Sequence, residues 1–329
     1  MLTSQGRATA PVVARPAPQE VRPVTTARVH TPPGPARWAR FKRRGAPYGF
    51  VSPTVVLLFV LMLIPIVMVV SYSVMDNVIV NKNPSFVGFA NYAEVLGDPV
   101  FYEAIGNTTF FTGVSVVAHL VLGLGFAMLL NTPLLTRRTK SLFRVVYILP
   151  WLFTVAIIAV LWRLLLNPNG IVNYLLIEMG FVQEGVEWLA SRETALQAVT
   201  FINVWAGYPF FMISLLAGLQ GIPRDLYEAA TVDGASAFQQ FRNVTLPQLR
   251  PLIVAMAMLD VLWTTQQFAL IWMTTGGGPI HVTEMLSTYT YKLAFSRYEF
   301  SMASTSATII LLLSMVLAFF YVRLQKARD

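Results

Sequence analysis

Asp225-Leu226-Tyr227-Glu228-Ala229-Ala230-Thr231-Val232-Asp233-Gly234-Ala235-Ser236-Ala237-Phe238-Gln239-Gln240-Phe241 runs on as Arg242-Asn243-Val244-Thr245-Leu246-Pro247-Gln248-Leu249-Arg250-Pro251, a polar stretch between two long apolar ones. Asp225 followed three residues later by Glu228 signals a helix start. Gly234 is suited to the left-handed conformation that ends a helix. Ser236 with Gln239 offers a second capping pair, and Pro247 is expected to stop the helix that follows. The spacing therefore predicts two short helices joined at a glycine. Leu226, Ala229 and Ala230 make a small apolar face on the first, and Phe238 and Phe241 share a face on the second. Such faces either pack on the protein's own helix ends or await a partner, and periodicity leaves both readings open.

Outward from this stretch the composition changes solvent. Of 329 residues 55% are hydrophobic and only 12% charged, about half the charged share of a soluble domain. Six segments are long and apolar enough to cross a bilayer, which takes about 20 residues: near 50–74, 106–131, 143–166, 195–219, 252–274 and 301–322. Pro65, Pro150 and Pro209 fall inside them and are tolerated where neighbouring helices satisfy the freed carbonyls. The expected fold is all-α and polytopic, a six-helix transmembrane domain over 46–329 with the loop 220–251 hanging from it. Residues 1–45, rich in Pro, Ala, Thr and Arg, read as a disordered basic tail. The apolar stretch after it is too long for a secretory signal core and lacks a small-residue cleavage site, so it is expected to stay as a signal anchor.

Six crossings put both termini on one side, and the basic residues choose which. Nine Lys/Arg lie in the tail, four in 132–144, three in 220–250 and three at the C-terminus. The opposite loops carry Lys82, Arg192, Lys292 and Arg297. The expectation is a multi-pass protein of the cytoplasmic membrane with both ends and the 220–251 loop in the cytoplasm. The net charge of +8 thereby meets anionic lipid headgroups rather than nucleic acid.

The loop resembles the EAA loop of ABC-importer permeases, matching it at Glu228, Ala229, Ala230, Asp233, Gly234, Ala235, Val244, Leu246 and Pro247. Similarity continues through Phe86-Val87-Gly88-Phe89-Ala90-Asn91-Tyr92 with Asn107-Thr108, Leu149-Pro150-Trp151, Ala217 to Pro223, Gly276-Gly277-Gly278-Pro279 and Thr283 to Phe295. The pattern is closest to the sugar branch, typified by the larger maltose and glycerol-phosphate permease subunits. One departure is Ser301, where such permeases place a glycine, which bears on close helix packing there. The resemblance implies a MetI-like permease fold in which 225–246 is a coupling element docked in a cytoplasmic ATPase. Glu228 would anchor it, Gly234 permit the turn, and Phe238 and Phe241 fill the docking cleft. It also implies a second permease subunit, two ATPase copies and an extracytoplasmic, often lipid-anchored, substrate-binding protein.

No energy source is legible in the chain. A phosphate-cradling loop needs Gly-Lys-Ser/Thr; Lys140 alone among five lysines precedes Ser or Thr, and Thr139 stands where Gly is required. ATP and Mg are therefore expected on a partner, with no cofactor held here. Cysteine is absent, and His30, His119 and His281 are scattered, so no metal-ligand spacing or nucleophile–base arrangement exists in the sequence. No catalytic residue is assigned.

Polar residues inside the bilayer remain. A central Asp costs about 2.5–3.5 kcal/mol on translocon scales, and Asp260 falls roughly 13 Å beyond Pro251 along a helix. Thr264 and Gln267 follow at four and seven residues, predicting one polar stripe; Asn203, Gly207 and Ser214 predict a weaker one, with Tyr208 and Trp205 beside it. These stripes either line a solute pathway or act as interhelical glue. His119 is read as an interhelical donor rather than a proton relay, and Gly276 to Pro279 as a sharp turn, with contact to the binding protein second. The expected function is a carbohydrate importer subunit. The rivals are an ion-gradient-driven transporter, an ABC permease for a non-sugar solute, and a membrane scaffold or enzyme.

Overall fold

The computed structural model describes residues 37–326. The tail expected to be disordered over 1–45 lies outside the described residues as far as position 36. The first described helix, α1 (Arg37–Leu58), begins at Arg37. Pro35 is the last breaker before it, and Trp38-Ala39-Arg40-Phe41-Lys42-Arg43-Arg44 is dominated by good helix formers. The chain passes through one π-helical segment (Phe59–Leu63) into α2 (Ile64–Tyr72), whose second residue is Pro65. Residues up to Val60 form one unit and those from Leu61 a second.

The second unit continues with α3 (Ala90–Gly97), α4 (Pro99–Asn131), α5 (Arg137–Leu152), α6 (Val155–Leu165), α7 (Ile171–Glu178) and α8 (Ala195–Gly221). It closes with α9 (Arg224–Val232), α10 (Ala237–Gln240), α11 (Leu246–Thr265), α12 (Ala269–Thr274), α13 (Leu286–Phe295) and α14 (Phe300–Lys326). Among the described residues five helices are long and apolar enough to cross a membrane, or six if one bent pair counts as a single span.

That pair occupies the crossing expected near 143–166, and it is bent: α5 and α6 meet at 99°. Pro150 removes a backbone donor from the last turn of α5. Thr154, with extended backbone, restarts the chain as N-cap of α6, its hydroxyl accepting from the N–H of Ile157.

Pro247 does not stop the helix before it, a correction to the expected break. α10, a π-helical turn (Phe241–Thr245) and α11 form one continuous rod, Ala237–Thr265. The Leu246 N–H reaches back five residues to the Phe241 carbonyl, a π-type adjustment of the kind that lets a membrane helix run on through a proline such as Pro247. The rod ends at Thr265, short of the expected 274; Gln266, Gln267 and Phe268 separate it from α12.

α4 and α8 form the central pair. A Cβ built on Gly123 would lie 2.4 Å from the Phe211 Cβ, so the two helices touch backbone to side-chain root, the close approach that small residues allow between membrane helices. Ala127, Leu130, Phe211, Met212, Leu215, Leu249 and Met256 fill the core where α11 joins this pair. A second core gathers α3, α4, α13 and α14 around Phe101, Leu286, Tyr289 and Leu293. Ser301 is no weak point: it is buried, and its hydroxyl accepts from the Val78 N–H at 3.0 Å.

Candidate functional site

Three of the five residues expected along the pathway, Asn203, Asp260 and Thr264, come together at the α4–α8–α11 junction; these and Tyr208 are buried. Asp260 Oδ2 lies 2.8 Å from His119 Nδ1, and Asp260 Oδ1 accepts from the Thr264 hydroxyl at 3.0 Å. His119 Nε2 lies 3.1 Å from the Asn203 carbonyl oxygen, and the Asn203 amide donates to the Ser115 hydroxyl at 3.0 Å. The Tyr208 ring packs 5.2 Å from that of Phe126.

A carbonyl only accepts, so Nε2 must carry a hydrogen. Nδ1 then donates to an ionised Asp260, or accepts from a protonated one. In both forms one proton is shared across the pair, and each carboxylate oxygen is already bonded. Space for this comes from Gly207: a Cβ there would lie 2.3 Å from His119 Nε2. Gly207, expected in a polar stripe, is instead the gap that admits the imidazole.

Gln267 is corrected. It does not continue the stripe, because α11 has ended; it is half-buried in the break, and its carbonyl accepts from the Ser287 hydroxyl at 2.7 Å.

The 220–251 segment folds as a bent helical element. α9 begins at Arg224 with Asp225 in its first turn rather than as its cap. Gly234 adopts φ +76°, and the Ala235 N–H bonds the Ala230 carbonyl at 2.9 Å, tying off the end of α9. Ser236 and Gln239 form the expected capping box. Two contacts brace the bend: Tyr227 Oη to Thr245 Oγ1 at 2.9 Å, and Gln240 Nε2 donating to Thr231 Oγ1 at 3.1 Å. Glu228, Ala229, Asp233, Gly234, Phe238 and Pro247 are exposed; Ala230, Ala235, Phe241 and Leu246 are half-buried. Phe238 is 70% exposed, so it does not pack on the chain's own helix ends, whereas Phe241 does in part.

The turn at Gly276 to Pro279 is pinned at its base. Glu284 is fully buried and pairs with Lys292, with His281 Nδ1 3.3 Å from the same carboxylate oxygen. The Asn107 amide donates to the carbonyls of His281 and Glu284, both at 3.1 Å. Tyr289 donates to Asp98 Oδ2 at 2.7 Å; burial, then this bond, push its phenol above the ordinary tyrosine range. Sequence reasoning missed the His119–Asp260 and Glu284–Lys292 pairs. For His119 and Asp260 the signal available was a titratable side chain in an apolar run without a local partner; Glu284, with His281 three residues before it and Lys292 eight after, offered a local one.

This all-helical arrangement, a bent pair of short helices running straight into a membrane-length rod, is that of an ABC-importer permease. Its fold is shared with the crystal structure of a bacterial ABC transporter involved in the import of the acidic polysaccharide alginate. The TM-score is 0.77 at 23% identity, covering 88% of this chain and 98% of that one. The trehalose/maltose transport system permease of Thermococcus litoralis is 34% identical over 88% of this chain and 97% of its own length. The sulfoquinovosyl glycerol transport system permease of Agrobacterium fabrum is 32% identical over 89% and 94%. Residues 119–329 match the family of binding-protein-dependent transport system inner membrane components. The chain belongs to that family and is a multi-pass membrane protein.

Proposed function

We propose that this permease imports a carbohydrate or sugar-like solute, and that its chain is non-catalytic, with ATP and Mg bound on a separate ATPase. The observation that carries the reading is the exposed, braced element 225–247 built into the same rod as Asp260. An ATPase that grips Phe238 acts on the helix that carries Asp260, Ala237–Thr265, and one that grips Glu228 acts on it through the Tyr227–Thr245 brace. Ala229, Ala230, Asp233, Ala235, Phe241, Leu246 and Pro247 shape and stiffen that grip. Asn203, Tyr208, Asp260 and Thr264 stay the pathway candidates, without Gln267, and rearrangement of their hydrogen bonds on transport would offer donors and acceptors to a hydroxyl-rich solute. The sugar class is supported by the solutes for which the relatives are named, trehalose/maltose and sulfoquinovosyl glycerol.

In this reading the partners are a second permease subunit, two ATPase copies and an extracytoplasmic binding protein. Both termini and 225–247 face the cytoplasm, as the distribution of Lys and Arg favours. The test is uptake of a panel of labelled sugars by vesicles reconstituted with the whole assembly. ATP-dependent uptake that survives collapse of ion gradients supports the proposal. Uptake that survives ATP depletion and stops with an ionophore would point to a gradient-driven carrier instead.

A further inference from the structure

Two cavities meet at the α6–α7–α8 corner, remote from the rod and from the bent helical element. One is an apolar groove of about 440 Å³ lined by Trp162, Leu166, Val172, Leu176, Trp188 and Phe201, among others. The other, about 310 Å³, is polar and lined by Arg163, Glu187, Asn167 and Thr274. Leu166 and Trp188 belong to both walls, so an apolar and a polar cavity lie side by side with these two side chains between them.

The site is built. Asn173, fully buried, spends its whole hydrogen-bonding capacity on shaping it. Its amide donates to the Asn167 and Val186 carbonyls at 2.9 and 3.0 Å, and its oxygen accepts from the Val186 N–H and Trp188 Nε1, both at 3.0 Å. The Trp188 indole is thereby fixed as the dividing wall.

Charge and surroundings specify the occupant. Arg163 and Glu187 both face the polar compartment and are not paired with each other or with any other described residue. α7, which covers the groove, exposes Ile171, Tyr174, Leu175 and, just past its end, Met179 and Phe181. Such a helix suits the headgroup–acyl boundary, where Trp and Tyr also concentrate.

We propose that this corner binds one zwitterionic aminophospholipid. An acyl chain fills the apolar groove. The phosphate lies on Arg163 and the ammonium on Glu187.

The test is native mass spectrometry of the purified assembly after stepwise delipidation and addition of palmitoyl-oleoyl phosphatidylethanolamine or phosphatidylglycerol. One phosphatidylethanolamine retained per chain is expected, with retention at least tenfold lower in Arg163→Gln and Glu187→Gln. Both side chains are exposed, so these variants keep their fold, and an unchanged melting temperature checks it. In Val172→Trp, which plugs the groove but keeps both charges, retention is also expected to fall. Equal retention in wild type and all three variants, preference for phosphatidylglycerol, or no retained lipid overturns the proposal. So does loss of the lipid on joining the second permease, which would assign the groove to a subunit contact.

Discussion

His119 Nδ1 and Asp260 Oδ2, 141 residues apart in sequence, lie 2.8 Å from each other in the buried centre of the second unit. The contact joins α4 to the rod that continues into α10, and His119 Nε2 extends it to α8 through the Asn203 carbonyl. Three membrane helices thus share one proton-bearing network, and any displacement of the rod strains it first.

Removing one partner leaves the other buried and uncompensated. His119→Leu is expected to lower stability by about 3 kcal/mol, and the double variant His119→Leu/Asp260→Leu by less. A double-mutant cycle on thermal unfolding in detergent measures this. Additive losses would mean that the two side chains act independently.

Gly207 is needed for a space, not a conformation. Gly207→Ala puts a methyl group 2.3 Å from His119 Nε2, and is expected to cost about 1–3 kcal/mol by overpacking. Gly113→Ala, with nothing within 4 Å of its new methyl, is the control and should be neutral or slightly stabilising. Melting temperatures of the two variants compare them directly.

Tyr289 gives a pH signature at the α4–α13 contact. Its folded pKa is raised above 10.0, so above pH 10 the unfolded chain loses this proton before the folded one does. The contribution to stability is complete below pH 10 and declines as the pH climbs toward the folded value. Tyr289→Phe should flatten the fall in stability measured above pH 10, relative to wild type, while lowering stability at neutral pH by about 1 kcal/mol for the lost bond to Asp98.

Hydropathy made most of the fold legible because a bilayer constrains length and composition so tightly: α2, α4, α8 and α14 fall where apolar runs predict them. It failed where local backbone chemistry intervenes. Nothing in the apolar run 143–166 distinguishes a straight span from one broken at Phe153–Thr154. Pro247 reads as a terminator unless a π-helical turn absorbs it. At the site, Gly234 and the Ser236–Gln239 box were readable because caps are local. The partner of Asp260 was not, since it comes from α4, 141 residues away in sequence and brought alongside α11 only by tertiary packing. Gln267 was misplaced for the related reason that a helical stripe was extended past the residue at which the helix ends.

The measurement that bears most directly on the coupling account uses the absence of cysteine from the sequence. Phe238→Cys introduces a unique thiol at a position 70% exposed, and loss of its ring should leave stability within about 0.5 kcal/mol. In oriented membrane vesicles, the account predicts labelling by an impermeant thiol reagent from the cytoplasmic face alone. It also predicts a crosslink from position 238 to a separate nucleotide-hydrolysing subunit. Labelling from the outer face, or crosslinked products that never include such a subunit, would contradict it.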